Sequence, residues 1–413
     1  MKVLIIGSGG REHAIADAFS RSSKTKEIIV SPGNAGMAEV FRCLLLAGQD
    51  EIVQFCHAEK VDMVFIGPEQ PIKDGLSDLL RAEGIRVLAP SQDAGRLETS
   101  KAFAKQLMLA NQIPTAGYSL LRDESQAREF LAKCSYPIVL KADGLAAGKG
   151  VIICSNEPEA IQACASLFRQ SAGESGVLAE EYLQGWEVSL FAFCDKDAFQ
   201  TSLFAQDYKQ LYDQDRGPNT GGMGAVCPVP EAEKYRQEIE DKILAPVLKA
   251  MRELGCPYEG ILYLGLMITA QGPRVVEFNC RFGDPETQAL LPLLKTDFME
   301  LCLAITEGRM KELQLEWINK TAVAVVLAAP GYPSAYKKGI KIHIPQLNSK
   351  VFFSGVQSGR SGLISSGGRV LTVTNMADTL EKAKTAVYRD IKSIDFPDNV
   401  YRKDIGLRKN VLP

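Results

Sequence analysis

The run Val275-Val-Glu-Phe-Asn-Cys-Arg-Phe-Gly-Asp-Pro-Glu286 carries the residue types best suited to chemistry. Glu277 and Asn279 alternate with Phe278, and the two-residue period of a strand sends both side-chain oxygens to one face. Two hard oxygens so placed suit magnesium shared with the phosphates of ATP. The plain alternative, two polar residues on a solvated strand face, is weakened by the apolar Val275, Val276 and Phe278 around them. Arg281 falls on the same face again. Its plain alternative is an ion pair with Asp284 or Glu286.

Three phosphate-binding patterns compete elsewhere. Gly7-Ser-Gly-Gly10 follows an apolar strand, but a dinucleotide fingerprint needs G-x-G-x-x-G and an acid after the second strand. Here Glu12 takes the third glycine position and the second strand runs into Ser31-Pro-Gly-Asn34, which argues against NAD. The loop is either a sugar-phosphate seat at a helix N-terminus or a tight turn without a ligand. Gly144-Leu-Ala-Ala-Gly148-Lys149-Gly150 departs from a Walker A loop in its glycine spacing and in Gly150, which stands where Ser or Thr would bind magnesium. It joins two apolar strands, so it reads either as an ordinary hairpin or as a flap over a triphosphate, with Lys141 and Lys149 supplying charge. Glu180-Glu181-Tyr182-Leu183, followed by Trp186-Glu187, resembles a hinge strand that pairs with adenine and offers a carboxylate to ribose hydroxyls.

The elements that must position these residues are legible in outline. Strands at Val3-Ile6, Ile28-Val30, Met63-Ile66 and Val87-Ala89 alternate with helical stretches around 11–22, 48–59 and 72–83, the pattern of βαβ units on a parallel sheet. Ligands in such sheets sit at the carboxyl ends of the strands. A helix is expected over 93–112, ended by Pro114. An α+β module follows over 115–187, with strands at Ile138-Ala142, Val151-Cys154 and Val177-Tyr182 and a helix at Glu157-Gln170. Further strands are expected at Val188-Phe193, Gly260-Thr269 and Arg274-Phe278, with helices near 231–254 and 286–306. The tail carries strands at Ala322-Ala328 and Arg369-Thr374, a glycine-rich middle from Gly355 to Gly368, and a helix near Ala377-Ile391.

A chain of 413 residues, 46% hydrophobic, is long enough for roughly two to four domains. A net charge of −3 supplies no broad basic field, so no nucleic-acid partner is expected. The short apolar run before Gly7 is a first strand rather than a signal segment, and no run approaches the roughly 20 residues of a membrane span. Ten cysteines without a C-x-x-C pair and only three histidines point to reduced thiols and no zinc site. The expectation is a cytoplasmic protein.

Taken together, these motifs resemble the ATP-grasp superfamily and, within it, the phosphoribosylamine-glycine ligases, also called glycinamide ribonucleotide synthetases. The resemblance runs nearly the length of the chain. It is carried by Gly7-x-Gly-Gly-Arg-Glu-His13, Pro32-Gly-Asn-Ala-Gly36, Gly67-Pro-Glu69, Leu140-Lys-Ala-Asp-Gly-Leu-Ala-Ala-Gly-Lys-Gly150, Gly217-Pro-Asn-Thr-Gly-Gly-Met-Gly224, Glu277 to Gln288 with Arg281-Phe-Gly-Asp-Pro-Glu286 as signature, and Arg402-Lys-Asp-Ile-Gly406.

The resemblance implies an α/β and α+β multidomain protein: an N-terminal parallel α/β substrate domain (1–100), an ATP-grasp domain (101–318) with a mobile lid at about 115–187, and a small C-terminal α+β domain (319–413). It implies ATP-dependent ligation of glycine to 5-phosphoribosylamine through a glycyl phosphate, a monomer, no membrane, and ATP with magnesium or manganese as cofactors. Lys101 and Lys141 would contact ATP phosphates, Gly148, Lys149 and Gly150 would form the flap, Glu180 and Leu183 would face adenine, and Glu187 would bind ribose. Lys209 would lie near the transferred phosphate, Glu277 and Asn279 would hold metal, and Arg281 would neutralise glycine's carboxylate and then the acyl phosphate. Gly221, Gly222 and Met223 would line the glycine site, and Gly10, Asn34 and Glu69 are candidates for the phosphoribosylamine. Arg281, Lys209 and Lys141 form the expected catalytic set.

Four departures from the family pattern stand out. Gln206-Asp-Tyr-Lys-Gln210 replaces a common Gln-Asp-His-Lys-Arg, Trp186-Glu187 replaces a glutamate pair, the lid is short around 169–176, and the strand Leu262-Ile268 lacks a second metal carboxylate. Tyr208 cannot carry a proton near neutral pH as a histidine would. The other readings are a different ATP-grasp ligase, such as a carboxylase or a D-alanine ligase relative, and a non-catalytic nucleotide-binding module.

Overall fold

In the computed structural model the described residues are 1–145, 150–170 and 176–407. The N-terminal sheet is parallel. From edge to edge it runs Arg42–Cys43, Glu27–Pro32, Lys2–Gly7, Met63–Ile66 and Val87–Leu88. Helices cover it, so its central strands are buried on both faces and read as unbroken apolar runs. Glu12, which breaks the dinucleotide pattern, has a structural place. Its side chain fills the space a Cβ would take at Gly7 or Gly67, and its Oε2 accepts the Gly9 N–H at 2.7 Å.

The sheet of the 115–187 module is antiparallel in the order Tyr118–Leu121, Val177–Glu181, Ile138–Ala142, Val151–Cys154. Helices Glu124–Leu131 and Glu157–Gln170 bury one face of it through Leu121, Leu131, Ile138, Leu140, Leu167 and Val177. Beneath lies the sheet Phe199–Thr201, Trp186–Asp195, Glu259–Thr269, Gly272–Asn279, also antiparallel.

A third large sheet joins Gln206–Asp207 and Gly224–Cys227 to Thr321–Ala328, Arg369–Ala377 and Lys350–Phe353. The position expected to divide two domains, near 319, is therefore crossed by continuous backbone pairing. Helix Leu380–Ile391 packs on this sheet through Ala383, Val387 and Ile391.

The C-terminal sheet meets the N-terminal domain at Phe353. Its N–H donates to His13 Nδ1 at 3.0 Å, and its carbonyl accepts from Asn34 Nδ2 at 2.9 Å. The His13 ring stacks on Phe353 with centroids 5.5 Å apart and meets Phe352 and Phe41 edge-on. Gly36 is small because the Phe353 ring occupies the place of its Cβ.

Several expected elements are divided. The stretch 72–83 falls across Glu69–Lys73 and Leu76–Ala82, and 93–112 across Arg96–Thr99 and Lys101–Ala110. The stretch 231–254 is a succession of short 3-10, α and π turns before Ala245–Glu253, and 286–306 breaks after Glu286–Leu290 into a 3-10 turn and Phe298–Thr306. The glycine-rich middle forms a hairpin, Val356–Gly359 with Gly362–Ser365. All ten cysteines are free thiols, and among the described residues no helix is long and apolar enough to cross a membrane.

Candidate active site

Strand Gly272–Asn279 pairs Glu277 with Gly265 and Asn279 with Tyr263, while Leu266 pairs with Val275. Val276 is thus the extra residue of a bulge, which turns its carbonyl out of the ladder. Lys141 Nζ takes that carbonyl at 3.1 Å. Gly265 leaves room for its neighbour, since a Cβ there would lie 3.1 Å from Glu277 Cγ. Glu277 and Asn279 share one face, with Asn279 Nδ2 3.5 Å from Glu277 Oε1. Burial alone would raise the Glu277 carboxyl, but Lys209, Lys141, Lys101 and Arg281 outweigh it and hold it below the ordinary value. Glu277 is therefore an anion ringed by cations. Among the described residues no three His, Cys, Asp or Glu side chains gather as a metal cage. Hard-cation binding at this face would rest on the Glu277 and Asn279 oxygens together with oxygens of a bound phosphate.

Lys141 also pairs with Glu180 at 3.0 Å, and Lys105 reaches the same Glu180 Oε2 at 2.9 Å. The carboxylate expected to face adenine is thus buried between two lysines. Burial pushes Lys105 down to about 8 against the pull of Glu180. Lys101 donates to the Gly144 carbonyl at 2.6 Å, and burial lowers its pKa too. Glu187 and Lys209 form an ion pair at 2.6 Å. Beside them, burial pushes Asp207 up to about 7, with Lys209 opposing and Glu286, Glu187 and Glu277 reinforcing the rise. Leu183 is half-buried just beyond the hinge strand, and Gly150 is buried with its carbonyl accepting the Ala142 N–H at 2.8 Å. Gly148 and Lys149 lie outside the described residues.

Arg281 pairs with neither Asp284 nor Glu286. Its Nε contacts Glu69 Oε2 at 3.1 Å, one terminal nitrogen contacts Glu98 Oε1 at 2.7 Å, and the other donates to the Phe282 carbonyl at 3.1 Å. Burial works against its charge, yet Glu98 and Glu69 hold its pKa above the ordinary value. Asp284 instead binds Arg369 at 3.3 Å and Gln288 at 2.8 Å, and Glu286 accepts from Ser189 at 3.1 Å.

The substrate candidates separate. Gly10 opens helix Gly10–Ser20, and a Cβ there would meet Gln288 and Ser354 at 2.7 Å. Asn34 is already committed, its amide donating to the Ser8 and Phe353 carbonyls and its oxygen accepting the Met37 N–H. Gly221 is exposed, whereas Gly222 is buried at φ +108°, where Pro285 occupies the place of its Cβ. Met223 differs from expectation. Its side chain is fully buried with Leu211 and Ala328, and its backbone bonds to Tyr208 and Val326, so it presents nothing to a ligand in this conformation.

Three groups at the site, Lys105, Glu98 and Arg369, escaped the sequence reading, and Tyr208, noted there only as a departure, has a structural role it did not show. Lys105 sits one turn after Lys101 on the same helix, a spacing that was readable. Glu98 and Arg369 reach the site across long sequence separations and left no local signal. Tyr208 is a brace: its hydroxyl accepts the Gly406 N–H at 3.0 Å, and Arg402, wholly buried between Asp404 and Asp215, lies over its ring. The closing Arg402-to-Gly406 motif is thereby folded onto the loop that bears Lys209.

Family comparison matches the phosphoribosylglycinamide synthetase N domain to residues 1–98, its ATP-grasp (A) domain to 99–287 and its C domain to 322–408. The chain belongs to the phosphoribosylglycinamide synthetase family. A phosphoribosylamine--glycine ligase of Caldanaerobacter subterraneus subsp. tengcongensis is 43% identical over 98% of this chain and 99% of its own length. The crystal structure of phosphoribosylamine--glycine ligase from Thermotoga maritima superposes with a TM-score of 0.87 at 35% identity, covering 98% of this chain and all of that one. The trifunctional purine biosynthetic protein adenosine-3 of Gallus gallus is 41% identical over 98% of this chain but only 42% of that protein. The biotin carboxylase domain of Hydrogenobacter thermophilus 2-oxoglutarate carboxylase shares the fold at 17% identity and a TM-score of 0.75. As a phosphoribosylglycinamide synthetase family member, the chain is an ATP-dependent ligase of three domains.

Proposed function

We propose that this enzyme joins glycine to 5-phosphoribosylamine, giving glycinamide ribonucleotide, ADP and phosphate in purine biosynthesis. The observation that carries the reading is the face of strand Gly272–Asn279, where Glu277 and Asn279 meet the field of Lys101, Lys141, Lys209 and Arg281. A carboxylate resists amines because its leaving group would be an oxide, so the reaction needs a glycyl phosphate first. Lys101, Lys141 and Lys209 hold the triphosphate of ATP and neutralise charge on the transferring phosphoryl oxygens. Glu277 and Asn279 would hold magnesium or manganese, which when bound would supply further charge neutralisation at the phosphates. Arg281 binds the glycine carboxylate, one oxygen of which takes the γ-phosphoryl group as ADP leaves; the phosphoribosylamine nitrogen then attacks the acyl carbon, and phosphate and the amine proton are released. Glu187 takes the ribose of ATP, and the hinge backbone from Glu180 to Leu183 takes adenine. Gly10 and Glu69 border the phosphoribosylamine, and the Gly221-Gly222 backbone borders glycine. The test is ADP release with ATP, magnesium, glycine and freshly made phosphoribosylamine. Release that needs both substrates is expected; release with D-alanine or bicarbonate instead, or none, would overturn the proposal.

A further inference from the structure

We propose that Glu98 is a positioning residue that fixes the Arg281 guanidinium for an incoming substrate carboxylate. The inference rests on the reading of Arg281 as the glycine-carboxylate ligand. Arg281 follows the metal-binding strand at the point where the chain leaves the sheet, so neither its backbone direction nor its long side chain is fixed by strand pairing. Glu98, on the short helix Arg96–Thr99, supplies both constraints. Its Oε1 takes the guanidinium at 2.7 Å and its Oε2 takes the Cys280 N–H at 2.7 Å. One carboxylate therefore holds two consecutive residues, and its own side chain is only 5% exposed.

The second carboxylate on Arg281 has a different character. Glu69 meets Nε at 3.1 Å from the end of the Gly67-Pro-Glu69 loop, and its side chain is 27% exposed. A guanidinium fork has several N–H groups in a rigid plane. Of its two carboxylate partners, Glu98 is the buried one and Glu69 the more exposed one. An incoming carboxylate can replace Glu69, while Glu98 stays in place and keeps the plane oriented. Without Glu98 the guanidinium would be tethered only by an exchangeable partner and by the Phe282 carbonyl, and each binding event would have to order it anew.

The experiment compares wild type, Glu98→Gln, Arg281→Lys and the double variant by steady-state kinetics and thermal unfolding. The amide of Glu98→Gln preserves volume and an acceptor for the Cys280 N–H but removes the charge facing Arg281. Glu98→Gln should raise the KM for glycine about 10- to 100-fold, the worth of a hydrogen bond between charged groups. The KM for ATP should change far less than that for glycine, as Glu98 bonds directly to Arg281 and the Cys280 N–H and reaches Lys101 only through the weaker field of its charge, and in the Arg281→Lys background the same change should add little. A wild-type glycine KM in Glu98→Gln, or effects that multiply in the double variant, would overturn the positioning role. A wild-type glycine KM in Arg281→Lys would overturn the reading of Arg281 itself, a separate outcome. If Glu98→Gln does not fold, Glu98→Asp keeps the charge on a shorter arm that cannot span both partners. An unchanged glycine KM in that variant would equally refute the role.

Discussion

Acidification should unfasten the seam between the N-terminal domain and the C-terminal sheet through His13. Burial among Phe353, Phe352 and Phe41 lowers its pKa from 6.5 to about 4, with Asp17 and Lys350 making smaller, opposed contributions. Between those two values only the unfolded chain takes up the proton, so stability falls as pH falls through 6.5 and levels off below about 4. The full gap is worth about 3 kcal/mol, of which about 2.5 kcal/mol has developed by about pH 4.5. The structure also says why protonation cannot be accommodated in place: Nδ1 is the acceptor for the Phe353 N–H, and an imidazolium has no lone pair to offer. Carboxylates elsewhere titrate in the same range, so the measurement is a difference. Urea unfolding of wild type and His13→Asn is compared at about pH 7.5 and about pH 4.5, the Asn oxygen standing in for Nδ1 without titrating. Wild type should lose about 2.5 kcal/mol more than the variant over this interval. Equal losses in both proteins would refute the reasoning.

Glu277→Gln should lower turnover by about two orders of magnitude or more while leaving the melting point within about 3 °C; near-normal turnover would exclude a metal role. Gly222→Ala should cost about 1–3 kcal/mol in thermal unfolding, because its φ of +108° disfavours a side chain and Pro285 already fills the Cβ position. Tyr208→Phe should cost about 1–3 kcal/mol by stranding the Gly406 N–H, with the pH profile of kcat unchanged between about pH 6 and 9. A lost kcat limb in that profile would show that Tyr208 exchanges protons after all.

Where a short apolar run is bounded by turn residues, the sequence announces the strand, whether it is buried throughout like Met63–Ile66 or leaves a residue open as at Ile153. Met63–Ile66, Ile138–Ala142 and Val151–Cys154 appear at their expected limits because apolar runs bounded by turn residues have few other uses. Strands at Arg216–Asn219 and Gly224–Cys227 were invisible, since the first pairs across a polar hairpin with a register shift and the second with a strand about a hundred residues away. Helix 231–254 looked continuous because its apolar spacing persists through the 3-10 and π turns. The active-site residues divide in the same way. That Glu277 and Asn279 share one face is legible from the strand period. The partners of Arg281 arrive from residues 69 and 98, and those of Glu180 from 105 and 141, and no local pattern encodes which of many carboxylates a given cation will meet.

The shared sheet that links Gly224–Cys227 to Thr321–Ala328 turns a sequence boundary into a mechanical coupling. The Gly221-Gly222 turn leads into Gly224–Cys227, which pairs with Thr321–Ala328 on one side and on the other with Gln206–Asp207, just before Lys209, and Arg402 clamps the same loop from the far end. Cutting the chain near 319 would therefore leave an open, apolar strand edge in the catalytic half rather than two self-sufficient pieces. The small terminal domain is the frame that holds the loop bearing Lys209 beside the strand bearing Glu277 and Asn279.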